Sequence, residues 1–162
     1  MAIDTRKAER RPLRFDTLDD LDRELDRIEA SHNAGTLTHT GNYTPSQAMH
    51  HLARWIVRYE TGDLPKRVPL PVKAFGRVFK GRFLNKGFPA GLPGPEGKTQ
   101  SEPDNPFEES IAFLREKNQV LRTKDLGHRN PMFGRLGHEQ AVKIHLRHCE
   151  LHLSFLNPDA GP

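Results

Sequence analysis

The 162-residue sequence contains a single cysteine, Cys149. No internal disulfide can staple the chain, and cysteine usage gives no sign of an oxidising compartment. No stretch approaches the roughly 18 consecutive apolar residues of a membrane helix, so no membrane span is expected. The opening, Met1 to Arg14, is charged and lacks the apolar stretch of a secretory signal, and a cytoplasmic location is the expectation that follows. Acidic residues are missing from Lys66 to Lys86, where seven Lys or Arg stand together. Outside that stretch acids outnumber bases, so the net charge of +4 belongs to one segment. No helix-turn-helix or zinc-finger pattern accompanies it, and specific nucleic-acid binding is not expected. The hydrophobic share is low at 35%. Such a chain folds if its apolar residues lie on amphipathic stripes, and its length suits one domain, 1–162, with loose ends at 1–12 and 158–162.

Four segments carry helical periodicity. The first, Thr17 to Ser31, places Leu18, Leu21, Leu25 and Ile28 on one stripe, with Asp16 or Thr17 as cap and Asp19 and Asp20 favouring the positive helix start. The second opens with Thr44-Pro45-Ser46-Gln47, an N-cap, a first-position proline and a capping box, and runs to Thr61 before Gly62. The third repeats the device as Asn105-Pro106-Phe107-Glu108 and shows Phe107, Ile111, Leu114 and Leu121 on one face. The fourth, His138 to Leu156, is the most apolar, with a weaker cap at Gly137 and Pro158 just beyond its end. Lys143, Arg147, Glu150 and Ser154 define its narrow wet face.

Between the second and third helices lies an insertion, Gly62 to Pro103, which holds about half of all Gly and Pro. Its first half includes a short basic amphipathic helix over Val72 to Leu84. Val72, Phe75, Phe79 and Phe83 lie on one side, and Lys73, Arg77 and Lys80 on the other. Its second half, from Gly87, is too rich in Gly and Pro for regular structure. No alternation is strong enough to argue for a sheet. The expected fold is all-α, a four-helix bundle with a long crossover between helices two and three.

Among nine histidines, those in loops or at helix ends need no function. His148 and His152 differ, because at about 100° per residue they share a narrow sector with Ala141 and His145 inside the apolar arc of helix four. His-x-x-x-His spaces two imidazoles one turn apart, the geometry by which one helix offers two metal ligands. His145 and His148 form a competing pair three residues apart. A third ligand must come from another helix. In helix two His51 lies beside Trp55 and Ala48 at the edge of the apolar stripe, whereas His50 lies across from it with Gln47 and Arg54. Cys149 projects about 100° from His148 and reads as a small buried apolar residue.

Ser46-Gln47-Ala48-Met49-His50-His51-Leu52-Ala53 and His148-Cys149-Glu150-Leu151-His152-Leu153 together resemble the DinB/YfiT-like superfamily of metal-dependent four-helix bundles. The turn Asn130-Pro131-Met132-Phe133-Gly134-Arg135-Leu136 and the Gly-Phe-Pro-Ala-Gly core of the insertion are similar to an uncharacterised bacterial subfamily. The resemblance spans roughly residues 12 to 157. It implies a metal held by one histidine from helix two and two from helix four, here His51, His148 and His152. Thiol transferases of the superfamily form a different branch, so their substrates do not carry over.

Three neutral histidines leave an open coordination position, the pattern of a catalytic rather than a structural site. The expected cofactor is a divalent metal ion, zinc or nickel first and iron or manganese next. The expected activity is hydrolase or thiol-transferase chemistry on a small-molecule substrate. Gln47 and His145 are candidate auxiliary catalytic residues, Gln47 to hydrogen-bond a ligand or substrate and His145 as a partner behind a metal ligand or a proton carrier. In this reading the insertion is a lid whose basic residues steer an anionic substrate. The competing class is a non-enzymatic module that uses 66–86 to bind an acidic partner, a membrane surface or nucleic acid. Homodimerisation is open, since no exposed apolar stripe is distinct in the sequence.

Overall fold

The computed structural model describes residues 3–64, 68–92 and 102–158. Lys66 and Arg67 of the basic segment and 93–101 of the Gly/Pro-rich stretch lie outside the described residues. The fold is mostly helical, as the periodicity predicts. Six helices are described: α1 (Leu18–Asn33), α2 (Pro45–Thr61), α3 (Leu70–Val78), α4 (Lys80–Lys86), α5 (Phe107–Thr123) and α6 (His138–Leu153). Two antiparallel ladders accompany them. One pairs β1 (Thr38–His39) with β4 (Leu156–Asn157), and the other is the hairpin of β2 (His128–Asn130) and β3 (Gly134–Leu136).

The local signals act where they were read. Thr17 caps α1 and closes a box with Asp20, and Thr44 does the same for α2 with Gln47. Gly62 ends α2 at φ 71°, a left-handed conformation that suits a residue without Cβ. The Asn105 box does not form. Pro106 flanks α5 with no side-chain cap, and the Asn105 amide reaches instead to Nδ1 of His50 at 3.2 Å. Helix α6 stops at Leu153, three residues short of its predicted end, because the chain turns to pair Leu156 and Asn157 with His39 and Thr38.

Four long helices share one core. Leu21, Leu25 and Ile28 of α1, Met49, Leu52 and Ile56 of α2, and Leu114 of α5 are wholly inaccessible, and Leu146, Cys149 and Leu153 of α6 join them. Each such side chain contributes about 1.5–3 kcal/mol by leaving water. Cross-links give the directions. Ser46 Oγ meets Ser110 Oγ at 2.8 Å near the starts of α2 and α5, and Glu60 meets Lys117 and Lys124 near their ends. These two helices therefore run parallel, which is why a crossover joins them. Arg115 bonds Asp26 and Glu29, and Arg122 bonds Asp19 and Asp22, so α1 runs against α5.

The crossover carries two helices where the sequence predicts one. The break falls at Phe79 (φ −95°, ψ 10°) and turns Phe83 inward, 3% exposed, against Phe133 and Phe88. Phe75 and Phe79 stay outside, 45% and 41% exposed. The predicted common face of phenylalanines is thus divided between the interior and the surface.

A larger correction concerns α6. Its predicted wet face is covered: Arg147 is 1% exposed, Glu150 9% and Ser154 5%. The segment before α1 runs over it. Phe15 N–H donates to Glu150 Oε1 at 2.7 Å, and the Phe15 carbonyl accepts from Arg147 Nη2 at 2.9 Å. Arg147 Nη1 also pairs with Glu150, and its Nε donates to the Leu84 carbonyl at 3.2 Å. Every guanidinium nitrogen has an acceptor, the condition under which a buried arginine is tolerated.

Candidate metal centre

Helices α2 and α6 cross where His51 faces His148 and His152. His51 Nε2 lies 3.3 Å from His148 Nε2, which lies 3.0 Å from His152 Nε2. One nitrogen from each ring falls within 4.8 Å of the others, and this group can hold a metal ion. Three imidazole nitrogens at the usual ~2.0–2.1 Å from a tetrahedral ion stand about 3.3 Å apart, close to the 3.3 and 3.0 Å separations from His148. His51 is buried, while His148 and His152 are partly exposed.

The tautomer of His51 is set from behind. Its Nδ1 lies 3.0 Å from Oε1 of Glu102, a carboxylate whose side chain is fully buried. Burial alone would raise that carboxyl group. The hydrogen bond to His51 and the nearby Arg54 guanidinium more than offset it and hold Glu102 below the usual range. An ionised Glu102 can only accept, so His51 carries its proton on Nδ1 and turns a bare Nε2 towards the other two rings. Trp55 Nε1–H donates to the same nitrogen at 3.2 Å, which agrees with a lone pair there. A carboxylate behind a histidine is the recurrent way in which a metal-binding imidazole is fixed.

Burial, the largest effect, followed by the mutual repulsion of protonated rings, pushes His148 and His152 well below the ordinary histidine range. Both are neutral at pH 7, with nitrogen lone pairs to offer. The walls are aromatic. Tyr43 packs beside His51 and His152 at ring separations of 5.2 and 5.6 Å, and Trp55 and Phe88 flank His148 at 5.2 and 6.1 Å. Burial, and next the Glu102 charge, push the Tyr43 phenol up to about 12, so it is a neutral donor.

The other sequence candidates lie apart from the three nitrogens. Gln47 Oε1 closes the cap of α2, and its Nε2 donates to the Glu102 carbonyl at 3.1 Å. Its connection to the histidines therefore runs through Glu102. His145 faces α5, with Nε2 3.1 Å from Asn118 Oδ1 and 3.4 Å from Cys149 Sγ. It shares the wheel sector of His152 but sits two turns away, about 10 Å along the axis. Burial lowers its pKa to about 4, and its Nδ1 and the Asn118 Nδ2 are buried without partners among the described residues. His50 packs on Phe113 and bonds Asn105. Cys149 is inaccessible, and burial pushes its thiol up.

Glu102 is the residue that sequence reasoning missed. It stands 51 positions from His51 in the insertion, and no motif or periodicity marks it. Its position becomes visible only when Gln47 draws its backbone onto the start of α2.

No curated protein and no solved structure matches the chain. A family match does exist, described as "Protein of unknown function (DUF1569)", and it spans residues 7–159. With nearly its whole length inside that match, the chain belongs to the DUF1569 family.

Proposed function

We propose that residues 1–162 form one DinB-like domain, a metal-dependent enzyme of hydrolase or thiol-transferase type, in which His51, His148 and His152 hold one divalent ion. The observation that carries this reading is the convergence of three Nε2 atoms from two helices, with Glu102 fixing the tautomer of one. An all-nitrogen donor set suits zinc or nickel first, and iron or manganese next. Bound there, such an ion supplies Lewis acidity to a substrate oxygen or sulfur.

The chain's own residues provide the rest. Three protein donors leave a further coordination position, and the partial exposure of His148 and His152 marks the side from which a small molecule approaches. Trp55 and Phe88 pack against His148 and supply apolar surface beside it. Tyr43, neutral and packed beside His51 and His152, is part of the aromatic wall that a substrate would meet. Cys149 is no nucleophile here, because its inaccessible sulfur turns to His145 rather than to the three nitrogens.

The test is metal analysis of protein purified without a histidine tag. About one equivalent per chain is expected, and none in the His148→Ala/His152→Ala double variant, whose helical signal should persist. Wild-type protein that carries no metal, and takes up neither zinc nor nickel on dialysis, would reduce the triad to a histidine-lined core.

A further inference from the structure

Helix α3 faces the wrong way for a solvated helix. Its one buried residue is Gly76, where a Cβ would come within 2.4 Å of the Met132 side chain and 2.7 Å of the Met132 carbonyl. The helix thus touches the body of the protein through a glycine and turns its other side out. Along that outward side Leu70, Ala74 and Val78 recur every fourth residue, all exposed, with Leu70 at 79% and Val78 at 75%. Phe75 and Phe79 extend the patch. Exposed apolar residues gathered on one element mark an interaction surface.

Beside this patch is an open groove of about 940 Å³ lined by Arg77 and Lys80 from the crossover and Arg129 and Arg135 from the hairpin. Among the described residues none of the three arginines has an ion pair, whereas Arg115, Arg122 and Arg147 are each paired. Lys80 Nζ donates to the Arg135 carbonyl at 2.8 Å and ties α4 to the hairpin. Gly134, at φ 75°, faces Arg77 Nε across 3.6 Å from the place a Cβ would occupy, so the guanidinium lies along the hairpin. The lining has one carboxylate, Asp125, which accepts from Gly127 N–H. The groove therefore presents unpaired cations next to an unpartnered apolar edge.

We propose that α3, α4 and the β2–β3 hairpin dock the protein on anionic phospholipid bilayers, with the groove taking lipid phosphate and the outward edge of α3 entering the acyl boundary. The two observations are independent, and an anionic bilayer answers both. A soluble phosphate would satisfy the arginines but leave Leu70 and Val78 in water. A second copy of the chain would cover the apolar edge, but it would also bring Arg77, Lys80 and their neighbours against their own counterparts with no acid between Val68 and Lys86 to offset them. Shallow insertion of apolar side chains beside Lys and Arg is the general mode of interfacial helices. No described helix is long and apolar enough to cross a membrane, so the attachment is peripheral.

The full chain would be floated with vesicles of phosphatidylcholine alone or mixed with phosphatidylserine. Binding is expected to the mixed vesicles only and should fall as salt rises. Leu70→Ser/Val78→Ser and Arg129→Gln/Arg135→Gln should each lower partition about tenfold or more while leaving helical signal and metal content unchanged. Metal content separates this proposal from the metal-site reading, since either can fail alone. Absence of flotation at low salt would overturn it, as would flotation indifferent to both variant pairs. Displacement by millimolar inorganic phosphate, with the serine variants behaving as wild type, would make the groove a soluble-anion site instead. A dimer that Val78→Ser dissociates would assign α3 to a second copy of the chain.

Discussion

Arg147 with Glu150 and His148 with His152 alternate along the same two turns of α6, yet they are satisfied in opposite ways. Around Arg147 every guanidinium nitrogen finds an acceptor on α6, on α4 or on the segment before α1. Around His148 nitrogen meets nitrogen, at 3.3 and 3.0 Å, with no oxygen acceptor between. A proton can be shared pairwise, and Trp55 Nε1–H meets the His51 nitrogen, so among the described residues the polar contacts of the three Nε2 atoms are all nitrogen to nitrogen. A network of matched donors and acceptors holds a fold together, whereas nitrogens gathered face to face offer lone pairs that a cation can take.

The contrast is broken most severely from the closed side. Arg147→Ala leaves Glu150 buried beside a cavity and should cost about 3–5 kcal/mol, seen in chemical denaturation, with full metal content in whatever fraction remains folded. On the open side the sign reverses: adding zinc or nickel at 100 times the dissociation constant should raise wild-type stability by about 2.7 kcal/mol. Thermal or denaturant melts of the His148→Ala/His152→Ala variant should show no such gain. A subtler change tests the support behind His51. Glu102→Gln keeps the shape but removes the charge and should weaken metal affinity about 10–100-fold in chelator competition, with little effect on the metal-free melt. An unchanged affinity would make Glu102 a packing residue only. The smallest effect concerns two caps that read alike in sequence. Thr44→Ala should cost about 1 kcal/mol, and Asn105→Ala only a fraction of that, because only Thr44 bonds a helix N–H.

That last pair shows what the sequence could carry. Thr44, Pro45 and Gln47 act within one turn, so their meaning is local and survives folding intact. Asn105 has the same local grammar, but Nδ1 of His50 lies within reach of its amide, and a tertiary partner replaced the cap. The wheel of α6 put His148 and His152 in one sector, and the structure gathers them with His51, since spacing along one helix fixes which side chains share a face. The same wheel placed Arg147 and Glu150 in water. No periodicity within α6 can announce that Phe15, more than a hundred positions earlier, will lie across them. Glu102 was hidden for the same reason, and the outward apolar edge of α3 likewise. A phenylalanine at helical spacing implies burial unless the element that would cover it is missing.

The parallel course of α2 and α5 also bears on evolution and engineering. Leaving the end of one 17-residue helix and re-entering at the start of the next requires a return of about 25 Å. About eight extended residues suffice for that distance. The connection from Gly62 to Pro106 is several times longer, so most of its length serves something other than spanning that distance, including the Leu84 carbonyl that accepts from Arg147 and the Glu102 carboxylate behind His51. A deletion reduced to that minimum would strip away Glu102, the α3 edge and half of the basic groove together, and would uncover Arg147 and Ile144 on α6. Recombining such crossovers between relatives would then exchange surface and site support as one cassette, with the three histidines left in place.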